Sequence, residues 1–228
     1  MIDLEDINER IVNCTRCPRL VLYRSEVSEW KRRMYKQAEY WGRPVPGFGD
    51  PNARALIVGL APAAHGANRT GRMFTGDRSG EWLYGALYKF GFANIPESQF
   101  LGDALRLKDV YITSAVRCAP PDNRPLPVEL AACRSYLIEE ISWFKHIKAV
   151  VVLGKIAFEA YLSACRVGGI SLNHLKPKFS HGSMLRLPNG VSLICSYHPS
   201  QRNTQTGRLT RDMFDSVFCS LRETISSV

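Results

Sequence analysis

The chain predicts an α/β protein in which helices cover both faces of an open parallel sheet. Three observations carry this reading. Four short apolar runs, rich in β-branched residues and bounded by turn residues, have the character of strands buried on both sides. Segments of helical periodicity lie between and after them. The stretches that follow three of these runs are dense in Gly, Pro, Asn, Arg and His, as functional loops at the carboxyl ends of such strands often are.

The first strand is Ala55–Ala61 (ALIVGLA) and the second Val110–Val116 (VYITSAV). The third is Ala149–Gly154 (AVVVLG) and the fourth Ser192–Tyr197 (SLICSY). Between the first two, Ser79–Phe90 places Trp82, Leu83, Ala86, Leu87 and Phe90 on one helical face. Pro127–Phe144 aligns Leu130, Cys133, Leu137, Ile141 and Phe144, with Pro127 suited to a first helical turn. Lys155–Ala164 follows the third strand, and a C-terminal helix is expected over Thr206–Arg222. No repeat, low-complexity tract or linker divides the chain, so residues 1–228 are expected to form a single domain.

The composition narrows the function. There are 30 basic residues against 21 acidic ones, a formal charge of +9, which favours a polyanionic partner. No apolar run approaches the ~18 residues of a membrane span, so no membrane association is expected. The N-terminal MIDLEDINERIVNC is acidic and polar, unlike a secretory leader, and the expectation is a cytoplasmic, intracellular protein. In a reducing compartment its seven cysteines read as metal ligands and buried thiols rather than disulfides.

Four of those cysteines form a pattern. Cys14 and Cys17 are a C-x2-C pair; Cys118 follows the second strand and Cys133 lies on the next helix. Four thiolates suit zinc or an iron–sulfur cluster, whereas the plain alternative makes Cys118 and Cys133 small core residues. Cys165, Cys195 and Cys219 have no pairing logic.

The loop after the first strand, GLAPAAH with Gly66, is made of small residues that let backbone approach a flat ligand. Asp77 precedes a helix, so it is either a helix cap or a carboxylate that orients water. Phe74 stacks on a base or fills core. His198 ends the last strand beside an Arg/Asn/Thr loop, and His65 lies on the first loop; His146, His174 and His181 lack such a setting. Arg69, Arg72, Arg78, Arg202, Arg208 and Arg211 fall in or beside these loops, where guanidinium forks suit phosphate. The stretch from Arg24 to Arg43 interleaves basic residues with Trp30, Tyr35, Tyr40 and Trp41, as a nucleic-acid surface or a solvated amphipathic helix would.

Five motifs together, CTRC at 14–17, PVPGFGDP at 44–51, GLAPAAHGANRTGRMFTGD at 59–77, AVRCAPP at 115–121 and HPSQRN at 198–203, resemble the family 5 uracil-DNA glycosylases, which are close to family 4. The resemblance implies a three-layer α/β/α sandwich around a four-stranded parallel sheet. It implies a monomeric, prokaryotic base-excision repair enzyme that flips uracil or another damaged base out of DNA and hydrolyses its N-glycosidic bond. It selects a structural [4Fe–4S] cluster held by Cys14, Cys17, Cys118 and Cys133. It makes Asp77 and His198 catalytic, stacks Phe74 on the flipped base, and sets Ala61, Ala63, Ala64, His65 and Ser114 around it. Ala63 stands in the region where other uracil-DNA glycosylases carry Asp, Asn or Glu. Ser114 stands where the family usually has Asn, and a hydroxyl makes fewer contacts with a pyrimidine edge, which implies a base range beyond uracil. Arg69, Arg72, Gln201, Arg202, Asn203 and Arg208 are the expected DNA contacts. A zinc-stapled nucleic-acid-binding module and a phosphodiester nuclease are the competing readings; the nuclease would need clustered carboxylates for Mg²⁺.

Overall fold

A computed structural model describes residues 3–172 and 175–226. Its centre is a six-stranded sheet in the order β1-β3-β2-β4-β6-β5. β2 (Ala55–Gly59), β3 (Val110–Ser114), β4 (Ala149–Leu153) and β6 (Ser192–Ser196) are parallel and coincide with the four expected strands, each ending a little early. Two short antiparallel edge strands were not anticipated: β1 (Phe48–Gly49) beside β3, and β5 (Met184–Arg186) beside β6. β1 has two residues, too few for any period, and β5 is partly exposed with no apolar run. The sheet is therefore mixed, a parallel core with one antiparallel strand at each edge.

Alternation along the central strands builds two cores. Ile57, Ile112, Val151 and Ile194 face α4 (Arg78–Lys89) and α8 (Arg211–Ser226), packing with Leu83, Tyr84, Leu87, Phe214 and Phe218. Leu56, Val58, Val150, Val152 and Leu193 face the other way, against α5 (Pro127–Trp143) and α6 (Lys155–Val167) through Leu137, Phe158, Tyr161 and Leu162. Removing apolar groups from either core costs both their transfer free energy and the cavity left behind, ~3–5 kcal/mol for a Phe→Ala change. The result is the expected α/β/α sandwich.

The C-terminal helix expected over Thr206–Arg222 starts later, and a short helix that was not expected precedes it. Gln201–Gln205 forms a short α7, Gly207 adopts φ +70°, and α8 starts at Arg211. Two further helices, α1 (Leu4–Val12) and α2 (Pro18–Trp30), precede the sheet. They meet α5 in a third, smaller apolar cluster containing Ile7, Ile11, Leu20, Val116 and Tyr136. α2 stops at Trp30, so the stretch up to Arg43 is not one amphipathic helix, and Arg24 is buried rather than solvated.

Chain order decides where a ligand fits. The chain moves from β2 to β3 on one side, then crosses to β4 and β6 on the other. The reversal between β2 and β4 opens a crevice at their carboxyl ends.

Candidate active site

The crevice is walled by the loops after β2 and β6. The loop after β2 passes through a short helix, α3 (Ala67–Thr70), and then the FTGD turn before α4. Phe74 sits in that turn at φ +55°, a strained backbone for a bulky residue. Tight bracing holds it there. Tyr84 Oη donates to the Met73 carbonyl at 2.7 Å, and the Gly76 N–H donates to Ser98 O at 3.1 Å. Any side chain at Gly59 would crowd the Phe74 ring, with a Cβ only 2.8 Å from it, so the glycine that ends β2 makes room for the aromatic.

The Phe74 ring lies nearly parallel to His198, at 29° with centroids 6.0 Å apart. His198 leaves β6 beside Gly154, whose φ of +102° ends β4 without a side chain; a Cβ there would meet His198 at 3.4 Å. Asn203 Nδ2 donates to the His198 carbonyl at 2.9 Å, pinning the turn from behind. Burial lowers the His198 pKa to about 4, so the imidazole is neutral at physiological pH.

Asp77 takes the helix-cap reading expected of it. Its Oδ1 accepts the Gly80 N–H at 2.9 Å as the cap of α4. Its Oδ2 packs against Gly66, where any side chain would collide with it. Burial raises its pKa above the ordinary carboxylate range, against lowering by the Gly80 and Ser79 N–H groups. The carboxylate thus lies against the small-residue loop, in which Ala61, Ala63 and Ala64 are half-buried.

The remaining expected contacts divide. His65 Nδ1 is bonded to Tyr40 Oη at 2.9 Å, and burial followed by Arg32 and Arg69 lowers its pKa. Ser114 is buried and its hydroxyl donates to Val116 O at 2.7 Å, so it serves its own turn. Arg72 does not suit the phosphate role expected of it. Its guanidinium is 3 % exposed and engages Thr75, Ser98 and Asp103, the last at 2.5 Å. Arg69 is also committed, to His65 O at 2.9 Å and Gly76 O at 3.2 Å, with its guanidinium over Tyr35. Gln201 and Arg202 are exposed on α7, and exposed Arg208 lies over the Tyr197 ring at 4.7 Å. Sequence reasoning missed Gly154 as a cleft residue, although a glycine closing a buried strand is a usable signal. Nothing in the sequence pairs Tyr40 with His65. His181 accepts the Tyr197 N–H at 3.1 Å, a structural role, and His174 lies outside the described residues.

The four patterned cysteines share the third apolar cluster, against which Ala61 of the loop after β2 also packs. Cys17 caps α2, Cys14 follows α1, Cys118 follows β3 and Cys133 lies on α5, all within the third apolar cluster. Arg24 Nη1 donates to Cys118 Sγ at 3.1 Å, and the Arg117 N–H to Cys133 Sγ at 3.4 Å. As thiols, burial pushes Cys118 up to about 11 and Cys133 to about 12. Among the described residues, no three or more His, Cys, Asp or Glu side chains converge on a point that would hold a metal ion. The donor set itself, four sulfurs in an apolar shell with two N–H···S donors, fits an iron–sulfur cluster.

Comparison with known proteins shows the family. Residues 46–222 match the family model described as the uracil DNA glycosylase superfamily. A type-5 uracil-DNA glycosylase of Mycobacterium leprae is 49 % identical over 94 % of this chain and 93 % of its own length. One from Thermus thermophilus is 49 % identical over 93 % of this chain and 94 % of its own. A type-4 uracil-DNA glycosylase of Pyrobaculum aerophilum is 32 % identical over 87 % of this chain and 84 % of its own. No helix among the described residues is long and apolar enough to cross a membrane. With that extent of identity and a matched domain that spans both walls of the crevice, the chain belongs to the uracil DNA glycosylase superfamily, alongside its type-5 members.

Proposed function

We propose that this crevice excises uracil from DNA by hydrolysing its N-glycosidic bond, leaving an abasic site. One observation carries the reading: Phe74 lies ring to ring with neutral His198 of the other loop, and Asp77, whose pKa burial raises, follows Phe74 in the same braced FTGD turn. The scissile bond is buried in stacked duplex, so the nucleotide must first be extruded, at a cost of a few kcal/mol. Gln201, Arg202 and Arg208, exposed on the far wall, hold the distorted backbone, and Gln201 or Arg202 fills the gap left behind. Phe74 stacks on the extruded base, and the backbone of Ala61–Ala64 borders its edge.

Bond breaking places negative charge on the departing base and positive charge on the sugar. Neutral His198 donates a hydrogen bond to the base oxygen as charge builds there. A preorganised donor of that kind is worth ~3 kcal/mol, or roughly 10²–10³ in rate. Asp77, ionised, stabilises the sugar cation and positions water. Its partial desolvation strengthens that interaction while making the carboxylate easier to protonate. Ser114 spends its hydroxyl on Val116, so it offers the base no amide-like pair of contacts; this supports a range extending to other damaged bases.

Cys14, Cys17, Cys118 and Cys133 would hold a [4Fe–4S] cluster. When bound it supplies a structural staple between α1, α2, the turn after β3 and α5. The chain acts as a monomer on damaged DNA inside the cell.

A uracil-bearing oligonucleotide tests the reading. The expected product is an abasic site, so strands break only after alkaline treatment. Strand breaks before alkali, dependent on Mg²⁺, would favour the nuclease reading; an intact strand under both conditions would favour binding without catalysis.

A further inference from the structure

Two guanidiniums are buried beside the grouped thiols, and they are not equivalent. Arg117, 1 % exposed, pairs with Glu140 at 2.5 Å, and Thr113 Oγ1 donates to the same carboxylate oxygen at 2.6 Å. Its charge is matched by that carboxylate, although its Nε and Nη1 and Glu140 Oε1 make no hydrogen bond among the described residues. Arg24, 6 % exposed, makes no ion pair with a carboxylate among the described residues. Its Nη1 points at Cys118 Sγ, and its Nε has no hydrogen-bond partner. Arg19, on the same helix, is matched by Glu129 at 2.8 Å. An unpaired buried cation is costly, and a neutral thiol is a poor acceptor for it. The arrangement is favourable only if something anionic faces Arg24. Four thiolates on a dipositive metal centre are net negative, which supplies that charge.

Arg24 is also joined to the catalytic loop. Buried Asn68 of α3 reaches the Arg24 carbonyl with its Nδ2, at 3.4 Å, and the Asn68 carbonyl accepts the Gly42 N–H at 3.0 Å. α2 therefore runs from Cys17 at its N-terminus to the wall that carries His65, Arg69 and the FTGD turn.

We infer that Arg24 is a positioning residue: the buried counter-ion of the metal–thiolate centre, on the helix that ties that centre to the cleft wall. The inference rests on the cluster reading above. It involves no electron transfer and no substrate contact.

The test uses the full chain as wild type, Arg24→Lys and Arg24→Gln. Iron and zinc per chain are measured first. The rate at which absorption near ~400 nm bleaches under a chelator is then followed, with the midpoint potential. Outer-shell partners typically alter metal retention 10–100-fold. Arg24→Gln is expected to bleach about tenfold or more faster and to show a lower potential, because loss of a nearby cation disfavours the reduced centre. Arg24→Lys retains the charge and is expected to stay near wild type in both. Wild-type bleaching and potential in Arg24→Gln would overturn the assignment while leaving the cluster intact. If Arg24→Gln fails to fold, Arg24→Lys decides alone: bleaching tenfold faster or a lowered potential despite the retained charge would overturn the counter-ion role. Wild-type protein lacking both iron and zinc would retire the cluster reading itself, a failure seen before any variant is made.

Discussion

The crevice and the thiol group solve opposite problems with the same sheet. The crevice holds its groups in unfavourable states: Phe74 at positive φ, Asp77 easier to protonate than an ordinary carboxylate, His198 harder to protonate than an ordinary histidine. Bracing hydrogen bonds from Tyr84, Ser98 and Asn203 keep them there. The thiol group has apolar packing around it, and of the two guanidiniums buried beside it only Arg117 has a carboxylate partner among the described residues. Strain confined to one end of the strands is what a reacting site needs. A compact apolar knot at distant chain segments is what a staple needs. The two lie on one continuous path, through α2 and α3.

That contrast is broken most severely at the staple. Cys133→Ser is expected to abolish bound iron and to lower the melting temperature markedly, as loss of a structural metal does. Wild-type iron content in this variant would separate Cys133 from the site. In the crevice, His198→Ala should slow single-turnover excision by roughly 10²–10³ with little change in iron content. A full rate would remove the imidazole from the mechanism.

The arginines sharpen the comparison at smaller scale. Arg72 and Arg208 have the same side chain on the two walls of one crevice, yet only Arg208 is open to solvent. Arg72→Met leaves Asp103 without its ion-pair partner, holding only the Gln99 and Leu105 N–H groups, and should cost about 3 kcal/mol of stability, read from denaturant unfolding. Arg208→Ala should leave unfolding unchanged and reduce the slope of log affinity against log salt by about one. If the two variants exchanged these effects, the division of the arginines drawn here would be wrong.

Much of this was legible in the sequence. The four central strands were readable because buried parallel strands are continuous apolar runs. The placing of Asp77 ahead of a helix and of His198 just after the last strand was readable from local pattern, and the roles given to them and to Phe74 came from the motifs that hold them. Arg72 was not. A loop arginine looks the same whether it meets a phosphate or Asp103, and Asp103 lies 31 positions away in sequence. The two edge strands were invisible because their pairing comes from neighbours and not from their own pattern. The late start of α8 was hidden because Thr206–Thr210 carries no clear stop apart from Gly207, which takes a left-handed turn.

The most direct test of the account is the pH dependence of single-turnover uracil excision by wild-type protein and Asp77→Asn. In the wild type, activity falls as Asp77 takes up a proton. Because burial raises that pKa, the acid limb should lie above the ordinary carboxylate range, with no inflection at the ordinary histidine value of ~6.5. Asp77→Asn can keep the helix cap but loses the charge, so it should bind DNA normally and be slower by roughly 10²–10³ with the acid limb gone. It should be no less stable, since the buried carboxylate favours the unfolded state at neutral pH. An Asp77→Asn variant that excises at the wild-type rate, or that keeps the same acid limb, would contradict the account.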